Sequence, residues 1–161
     1  MKLILASSSP RRIAILKKLN IDFVVHPPSF STEVISEDPV ESAELNALEK
    51  SRSVARLYLE GIVIGVDTIV YTEDKVLGKP KNLDEAKKFL LELSGKEHYV
   101  VSGLALADAG SGKEYASHEI TKVRFGVLDE ETISKYLHLE DFLDKAGGYA
   151  IQGVASLLID R

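Results

Sequence analysis

The segment SSSPRR at residues 7–12, which follows a short apolar run, has the residue types of a phosphate-binding loop. A loop that leads from a strand into a helix presents free backbone N–H groups and the positive end of the helix dipole, and two arginines add charged donors. The alternative is structural, with Ser9 as a helix cap, Pro10 as the first helical residue and both arginines solvated. Taken by itself, the segment favours the structural alternative.

Asp67 interrupts an otherwise apolar segment, IVIGVDTIVY at residues 62–71, which predicts a strand. An ionised carboxylate in such a strand is costly unless a cation, a metal or a strand end accommodates it. Ligands of open α/β sheets collect at the carboxyl ends of the strands. This favours a functional role for Asp67 over the alternative of a carboxylate that caps a bulge at the rim of the sheet.

Two lysines are candidates to supply positive charge to such a site. Lys50 falls on the apolar face of a helix that we expect from Pro39 to about Glu60, because offsets of three, four and seven residues superimpose on a helix. Its ammonium therefore faces inward or snorkels at the edge of the apolar stripe. Lys79 lies in Gly-Lys-Pro, where glycine frees the backbone and proline restricts it, although a surface turn is the commoner place for such a lysine.

Other polar residues have weaker local signals. Glu33 lies in the polar loop PPSFSTEVISED, where nothing separates it from a solvated loop residue. Gln152 lies in AIQGV, where its amide offers a donor and an acceptor to the pairing edge of a pyrimidine or bonds to the backbone.

The four histidines lack close metal-ligand spacing. The segment GSGK at residues 110–113 is a turn, because it lacks the first glycine of a P-loop and precedes Glu114.

The elements that must position these residues alternate between strand and helix, which predicts a mixed α/β fold. We expect strands over residues 2–6, 23–26, 62–71, 98–108 and 114–127, and helices over residues 10–20, 39–60, 83–94 and 130–138. The expected helix caps are Ser9, Asp38, Asn82 and Asp129, and Gly95 is placed to end the third helix. Residues 144–160 contain small residues for close backbone approach and then a strand-like apolar run.

Composition restricts the class of protein. The 161 residues, 45% hydrophobic and 28% charged, fit one domain with a substantial core. No apolar run approaches the ~18 residues of a membrane helix, and LILA is too short for a signal peptide, so we expect a soluble cytoplasmic protein that binds no membrane. The absence of cysteine leaves oxygen or histidine ligands for any metal. A net charge of −5 disfavours binding to nucleic acid polymers but is compatible with a small polyanion.

Taken together, these motifs resemble the signature set of the Maf family. They are SSSPRR, Glu33, LEKS around Lys50, GVDT, GKP, LSG and LDKAGGYAIQG, and the resemblance runs from residue 2 to about residue 158. It implies a nucleoside triphosphate pyrophosphatase with the architecture of the inosine triphosphate pyrophosphatases (Ham1). That architecture is an elongated mixed sheet with flanking helices, here a single domain over residues 1–161 with two lobes around a central cleft. The resemblance also implies a divalent metal, Mg²⁺ or a similar ion such as Mn²⁺ or Co²⁺, and family members are often homodimers.

The resemblance assigns roles to individual residues. It makes Asp67 the catalytic carboxylate, as proton acceptor for the attacking water or as a metal ligand, and Glu33 its partner at the metal. The residues that it places at the nucleotide are Ser7, Arg11, Arg12, Lys50, Thr68, Lys79, Lys145 and Gln152. SPRR, Thr68 and Gln152 together resemble the branch that acts on dTTP and UTP, not the branch that acts on 7-methyl-GTP.

The reaction implied is hydrolysis between the α and β phosphates, with in-line attack by water, to give the monophosphate and pyrophosphate in a house-cleaning role. The alternatives are the same chemistry on another base, such as 7-methyl-GTP or ITP, and a nucleotide-binding regulator of cell division without catalysis. Family members usually continue with a G-x-Y-x-x-V-x-G-L-P-like strand and helix. We therefore expect this C-terminal segment to be missing from the chain.

Overall fold

A computed structural model describes residues 2–29 and 36–160. The chain divides into two compact units. Unit 1 comprises Met1–Asp67 and Ser102–Glu119, and unit 2 comprises Thr68–Val101 and Ile120–Arg161. Asp67 is therefore the last residue of unit 1 before the chain continues into unit 2.

The chain forms a mixed sheet with helices between its strands. The strands are β1 (Leu3–Leu5), β2 (Val24–Val25), β3 (Ile62–Tyr71), β4 (Val76–Leu77), β5 (Glu97–Asp108) and β6 (Glu114–Arg124). The helices are α1 (Pro10–Lys18), α2 (Pro39–Ala55), α3 (Leu83–Leu93) and α4 (Glu130–Leu139), followed by two 3₁₀ helices, Ala146–Gly148 and Gly153–Leu158. The strand order is β2-β1-β3-β5-β6, with β4 paired to β3. The predicted mixed α/β fold is confirmed.

Parallel pairing in unit 1 brings the end of β1 beside β3. Strand β1 is parallel to both β2 and β3, and Leu5 lies opposite Ile64. The backbone N–H of Ala6 continues the ladder by donating to the carbonyl of Ile64 at 2.8 Å. The same register places Ser7 at the level of Val66, so the residues that follow β1 lie beside the middle of β3, where Asp67 is located.

Helix α2 lies close against the sheet of unit 1 because two strand positions are glycine. A Cβ built on Gly65 of β3 would lie 2.0 Å from the carbonyl oxygen of Ala47, and one on Gly103 of β5 would lie 2.2 Å from that of Ala43. Both alanines are fully buried. The backbone of α2 therefore approaches both strands more closely than any side chain at these positions would allow.

The core of unit 2 forms where α3 packs against α4. Helix α3 buries Ala86, Leu90 and Leu93, which are spaced to lie on one face.

The side chain of Asn82 accepts from the N–H of Glu85, so this predicted cap is confirmed. Two other predicted caps are also confirmed: Asp38 accepts from Val40 and Asp129 accepts from Thr132. Gly95, with φ of 68°, ends α3 as expected.

Two local predictions are wrong, and the predicted cap at Ser9 is confirmed in its position only. Helix α2 ends at Ala55 instead of about Glu60, because the next hydrogen bonds form a tighter turn, from the N–H of Leu57 to the carbonyl of Val54 and from the N–H of Tyr58 to that of Ala55. Ser9 occupies the N-cap position of α1, but its hydroxyl makes no capping hydrogen bond within the part of the chain that the structure describes. The apolar run after Gly153 forms a 3₁₀ helix instead of a strand, and its buried residues, Ala155 and Leu158, are spaced by one 3₁₀ turn.

His98 is a buried polar residue in unit 2. It is 0% exposed, packs edge-on against Phe125, and its Nε2 lies 2.5 Å from the hydroxyl oxygen of Tyr149. Burial lowers the pKa of His98 to about 4, although a backbone hydrogen bond with Lys96 acts in the opposite direction. Tyr149 belongs to the segment that carries Lys145 and Gln152, so this hydrogen bond ties that segment to the core.

We expect His98 to make the protein less stable in mild acid. An ordinary histidine has a pKa near 6.5, so between pH 6.5 and about 4 the unfolded chain binds a proton that the folded chain does not. The stability that depends on neutral His98 is complete above pH 6.5 and is lost as the pH falls to about 4, by about 3 kcal/mol for the full shift. Denaturant unfolding across this range should show a shallower pH dependence for His98→Gln than for the wild type. Parallel curves would show that His98 is not the cause.

Candidate active site

Asp67 points from β3 towards α2. Side chains alternate along a strand, and Val63, Gly65 and Asp67 share the buried face that α2 covers. Asp67 is only 6% exposed. Its Oδ1 lies 2.5 Å from Nζ of Lys50, and its Oδ2 accepts a hydrogen bond from Nδ2 of Asn46 at 3.1 Å. A carboxylate in an apolar strand needs a compensating charge, and Lys50 supplies that charge to Asp67.

Helix α2 supplies both partners of Asp67 from one face. Asn46 and Lys50 are four residues apart, so their side chains lie one above the other. The side chain of Lys50 is 18% exposed, which confirms the prediction that it faces inward. Asn46 was not among the residues predicted from the sequence. A signal was present, because a polar residue one turn before Lys50 on an apolar face needs a buried hydrogen-bond partner.

Ser7 and Arg12 lie in the segment of unit 1 that follows β1. Ser7 is buried, and its Oγ accepts hydrogen bonds from Nη1 of Arg12 and from the backbone N–H of Ser9, both at 3.2 Å. Burial lowers the pKa of Arg12, and the negative charge of Asp67 partly offsets this effect, which shows that the two charges interact. Arginine stays protonated at any physiological pH. The charge of Arg11 lowers the pKa of Arg12 further, so two cations lie together at the start of α1.

The unit 1 residues therefore form one group. The structure brings together Ser7, Arg11, Arg12, Lys50 and Asp67 of the predicted set, and it adds Asn46. This group combines a buried carboxylate in the middle of β3 with cationic donors from α2 and from the segment that follows β1. Such an arrangement can bind a polyanion and can take a proton from a water molecule beside it.

The remaining predicted residues belong to unit 2. Thr68 is half-buried on β3, Lys79 is exposed after β4, and Gln152 is exposed at the N-cap position of the second 3₁₀ helix. The N–H of Gly147 donates to the carbonyl of Gly78 at 2.9 Å. This hydrogen bond holds the loop that carries Lys79 beside the segment that carries Lys145.

Lys145 is buried with its charge compensated inside unit 2. It is 7% exposed, and its Nζ lies 3.0 Å from Oδ1 of Asp144 and 3.8 Å from Oε2 of Glu140. Asp144 is exposed and Glu140 is only partly buried, so water screens both ion pairs and each contributes modestly to stability. The two acids therefore compensate the charge of Lys145 within unit 2.

Metal ligands were predicted at Asp67 and Glu33. Glu33 lies outside the described residues. Within residues 2–29 and 36–160, no group of three or more histidine, cysteine, aspartate or glutamate side chains is arranged to hold a metal ion. None of the helices in this part of the chain is both long enough and apolar enough to cross a membrane.

Comparison with known proteins agrees with the fold and the motifs. The model of the family described as Maf-like protein matches residues 2–161. The chain is 43% identical to the dTTP/UTP pyrophosphatase of Desulforamulus reducens, over 98% of this chain and 83% of that protein. It is also 43% identical to the dTTP/UTP pyrophosphatase of Pyrococcus furiosus, over 99% of this chain and 83% of that protein.

A solved structure supports the predicted architecture. The Ham1 protein of Staphylococcus aureus resembles this chain with a TM-score of 0.51 at 18% sequence identity, over 78% of this chain and 72% of that one. At this identity the likeness establishes the fold alone, and the fold is the Ham1-like one expected from the sequence. With the family model covering nearly its whole length, this chain belongs to the Maf-like protein family.

Proposed function

We propose that this chain is a nucleotide pyrophosphatase that hydrolyses dTTP and UTP to the monophosphate and pyrophosphate. The observation that carries the proposal is the group at Asp67: a buried carboxylate bonded to Lys50 and Asn46, with Ser7 and Arg12 supplied by the segment that follows β1. The names of the relatives at 43% identity support the substrate class.

Each residue of this group has a role in the proposed reaction. Asp67 accepts the proton of the attacking water, because an ionised carboxylate offers lone pairs and its oxygens lie inside a site that excludes most solvent. Arg11, Arg12 and Lys50 bind the triphosphate and offset the charge that develops on the leaving pyrophosphate. Ser7 orients Arg12 through its hydroxyl. No covalent intermediate is needed, since the nucleophile is water.

The described residues fit a magnesium ion that is held mainly by the substrate. Magnesium in nucleotide sites typically binds one or two carboxylates plus phosphate oxygens and waters. Among the contacts of the described residues, Lys50 lies at one carboxylate oxygen of Asp67 and Asn46 at the other, whereas a carboxylate has about four acceptor positions. We therefore propose Asp67, together with Glu33, as the ligands of a divalent cation, which would neutralise phosphate charge and acidify a bound water.

Thr68, Lys79, Lys145 and Gln152 complete the proposed nucleotide-binding set. Their roles follow from membership of the family and from the match of SPRR, Thr68 and Gln152 to the dTTP/UTP branch. Gln152 is exposed and carries both a donor and an acceptor, which is the chemistry that a pyrimidine edge requires. Substitution of each residue in turn, with kcat and KM measured on dTTP, tests these roles.

A screen of pyrophosphate release tests the proposed function. Purified protein with Mg²⁺ should release pyrophosphate from dTTP and UTP with kcat/KM at least about tenfold above that for ITP and 7-methyl-GTP, a difference of about 1.4 kcal/mol in transition-state binding. A preference for either purine nucleotide would instead support the same chemistry on another base. Tight nucleotide binding without any pyrophosphate release would support a regulator and overturn the proposed function.

A further inference from the structure

We propose that Asn46 is a positioning residue that holds the catalytic carboxylate of Asp67 in one orientation. This inference rests on the proposed function, because it concerns the geometry of the carboxylate during hydrolysis. Asn46 is 4% exposed, and its Nδ2 donates to Oδ2 of Asp67 at 3.1 Å. Asn46 is absent from the set of residues that the family motifs pick out.

Two contacts on different oxygens determine the orientation of the carboxylate. The last torsion of an aspartate side chain is broad, so a single contact leaves the carboxylate plane free to rotate. Lys50 contacts Oδ1 at 2.5 Å and Asn46 contacts Oδ2. With both partners in place, the lone pairs of Asp67 point in a defined direction.

The two partners differ in how firmly they are held. Lys50 has a long side chain, is 18% exposed and is proposed to bind the triphosphate, so its contact with Asp67 weakens when a phosphate competes for its ammonium. Asn46 has a short, buried side chain on a helix whose backbone rests on Gly65 and Gly103. Asn46 therefore remains hydrogen-bonded to Oδ2 of Asp67 throughout the reaction.

The neutrality of Asn46 matters for the chemistry. A second ammonium at this position would cancel the negative charge of Asp67, which is needed to accept a proton and to attract a divalent cation. An amide supplies a donor without adding charge. Asn46 is thus suited to orient the carboxylate without reducing its charge.

Kinetics of two substitutions test the role. Asn46→Leu keeps a similar volume but has no donor, and Asn46→Asp keeps the shape but cannot donate when ionised. For each variant with dTTP and Mg²⁺, we expect kcat to fall about 10- to 100-fold, as for other residues that orient a catalytic group, while KM changes less than about threefold. Wild-type kcat in Asn46→Leu would overturn the inference.

Ser42→Ala is the matched control. Ser42 is a buried polar residue one turn earlier on α2, and its hydroxyl bonds with the backbone N–H of Ser36 and the carbonyl of Asp38. Its removal should lower the melting temperature as much as Asn46→Leu does and leave kcat unchanged. If kcat falls in both variants in proportion to the loss of stability, the effect of Asn46 is merely structural and the inference is wrong.

A second readout does not depend on turnover. In ¹⁵N-labelled protein, the side-chain amide signals of Asn46 can be assigned by their absence in Asn46→Leu. Exchange of these protons with water should be at least about tenfold slower in the wild type than in Asp67→Ala, because a hydrogen bond to a buried carboxylate protects them. Equal exchange rates would overturn the contact and the inference with it. A wild-type protein that keeps this protection but releases no pyrophosphate would overturn the proposed function instead.

Discussion

Replacing Asp67 by asparagine should abolish pyrophosphate release from dTTP and UTP while leaving nucleotide binding measurable. The amide keeps the shape of the carboxylate and can still accept from Asn46, but it cannot take a proton from water and carries no charge for a cation. Loss of a general base costs about 10²- to 10⁴-fold in rate, and loss of a metal ligand adds to this cost. Lys50 and Arg12 remain to bind phosphates, so the dissociation constant should change far less than kcat.

Asp108→Asn is the control for this substitution. Asp108 also lies in unit 1, at the end of β5, but its carboxylate accepts from the backbone N–H groups of Gly110 and Ser111 in the β5–β6 turn. This variant should keep its turnover. With Mg²⁺ present, wild-type rates in Asp67→Asn would falsify the assignment of Asp67 as the catalytic carboxylate.

Replacing Gly65 by alanine should destabilise the protein strongly and remove activity in the fraction that folds. The new Cβ would lie 2.0 Å from the carbonyl oxygen of Ala47 and 2.8 Å from the backbone nitrogen of Ser51. These are backbone atoms, so α2 itself must move away from β3. Overpacking of this kind costs about 3 kcal/mol or more in free energy of unfolding. The shift also carries Asn46 and Lys50 away from Asp67, because all three depend on the close approach of helix and strand.

Gly126→Ala provides the comparison for the Gly65 substitution. The nearest atom to a Cβ at Gly126 is the carbonyl oxygen of Leu158 at 4.0 Å, an ordinary contact. Its stability should stay within about 0.5 kcal/mol of the wild type in denaturant unfolding. If Gly65→Ala is as stable as Gly126→Ala, then α2 is not held against β3 in the way described.

Local patterns were enough to predict several features that the structure shows. Asp67 is conspicuous because a charge inside an apolar strand needs a partner, and Lys50 is conspicuous because a cation lies on an apolar helical face. Asp38, Asn82 and Asp129 were predictable as caps, since a cap depends only on the next few residues. In each case the physical cause lies within one turn of helix or one strand.

Contacts between segments that are far apart in the sequence were not predictable from local patterns. The contact between Asn46 and Asp67 requires the register of α2 on β3, which Gly65 and Gly103 set from two different strands. Neither glycine is distinctive in the sequence, because glycine also serves turns and strand bends. The run after Gly153 has strand-like composition, yet it forms a 3₁₀ helix because Ala155 and Leu158 pack into the core of unit 2.

The family motif does not indicate the ion pairs that Lys145 forms. The motif drew attention to Lys145 as a ligand for phosphate, whereas its neighbours Asp144 and Glu140 already compensate its charge. Both acids are close in sequence, so the ion pairs could have been inferred from spacing.

Product analysis tests the central claim most directly. Wild-type protein is incubated with dTTP and Mg²⁺, and the nucleotides and phosphates are separated by anion exchange. Cleavage between the α and β phosphates, with Asp67 activating water, should give dTMP and pyrophosphate in equal amounts. The appearance of dTDP and inorganic phosphate, or no product while dTTP binds, would contradict it.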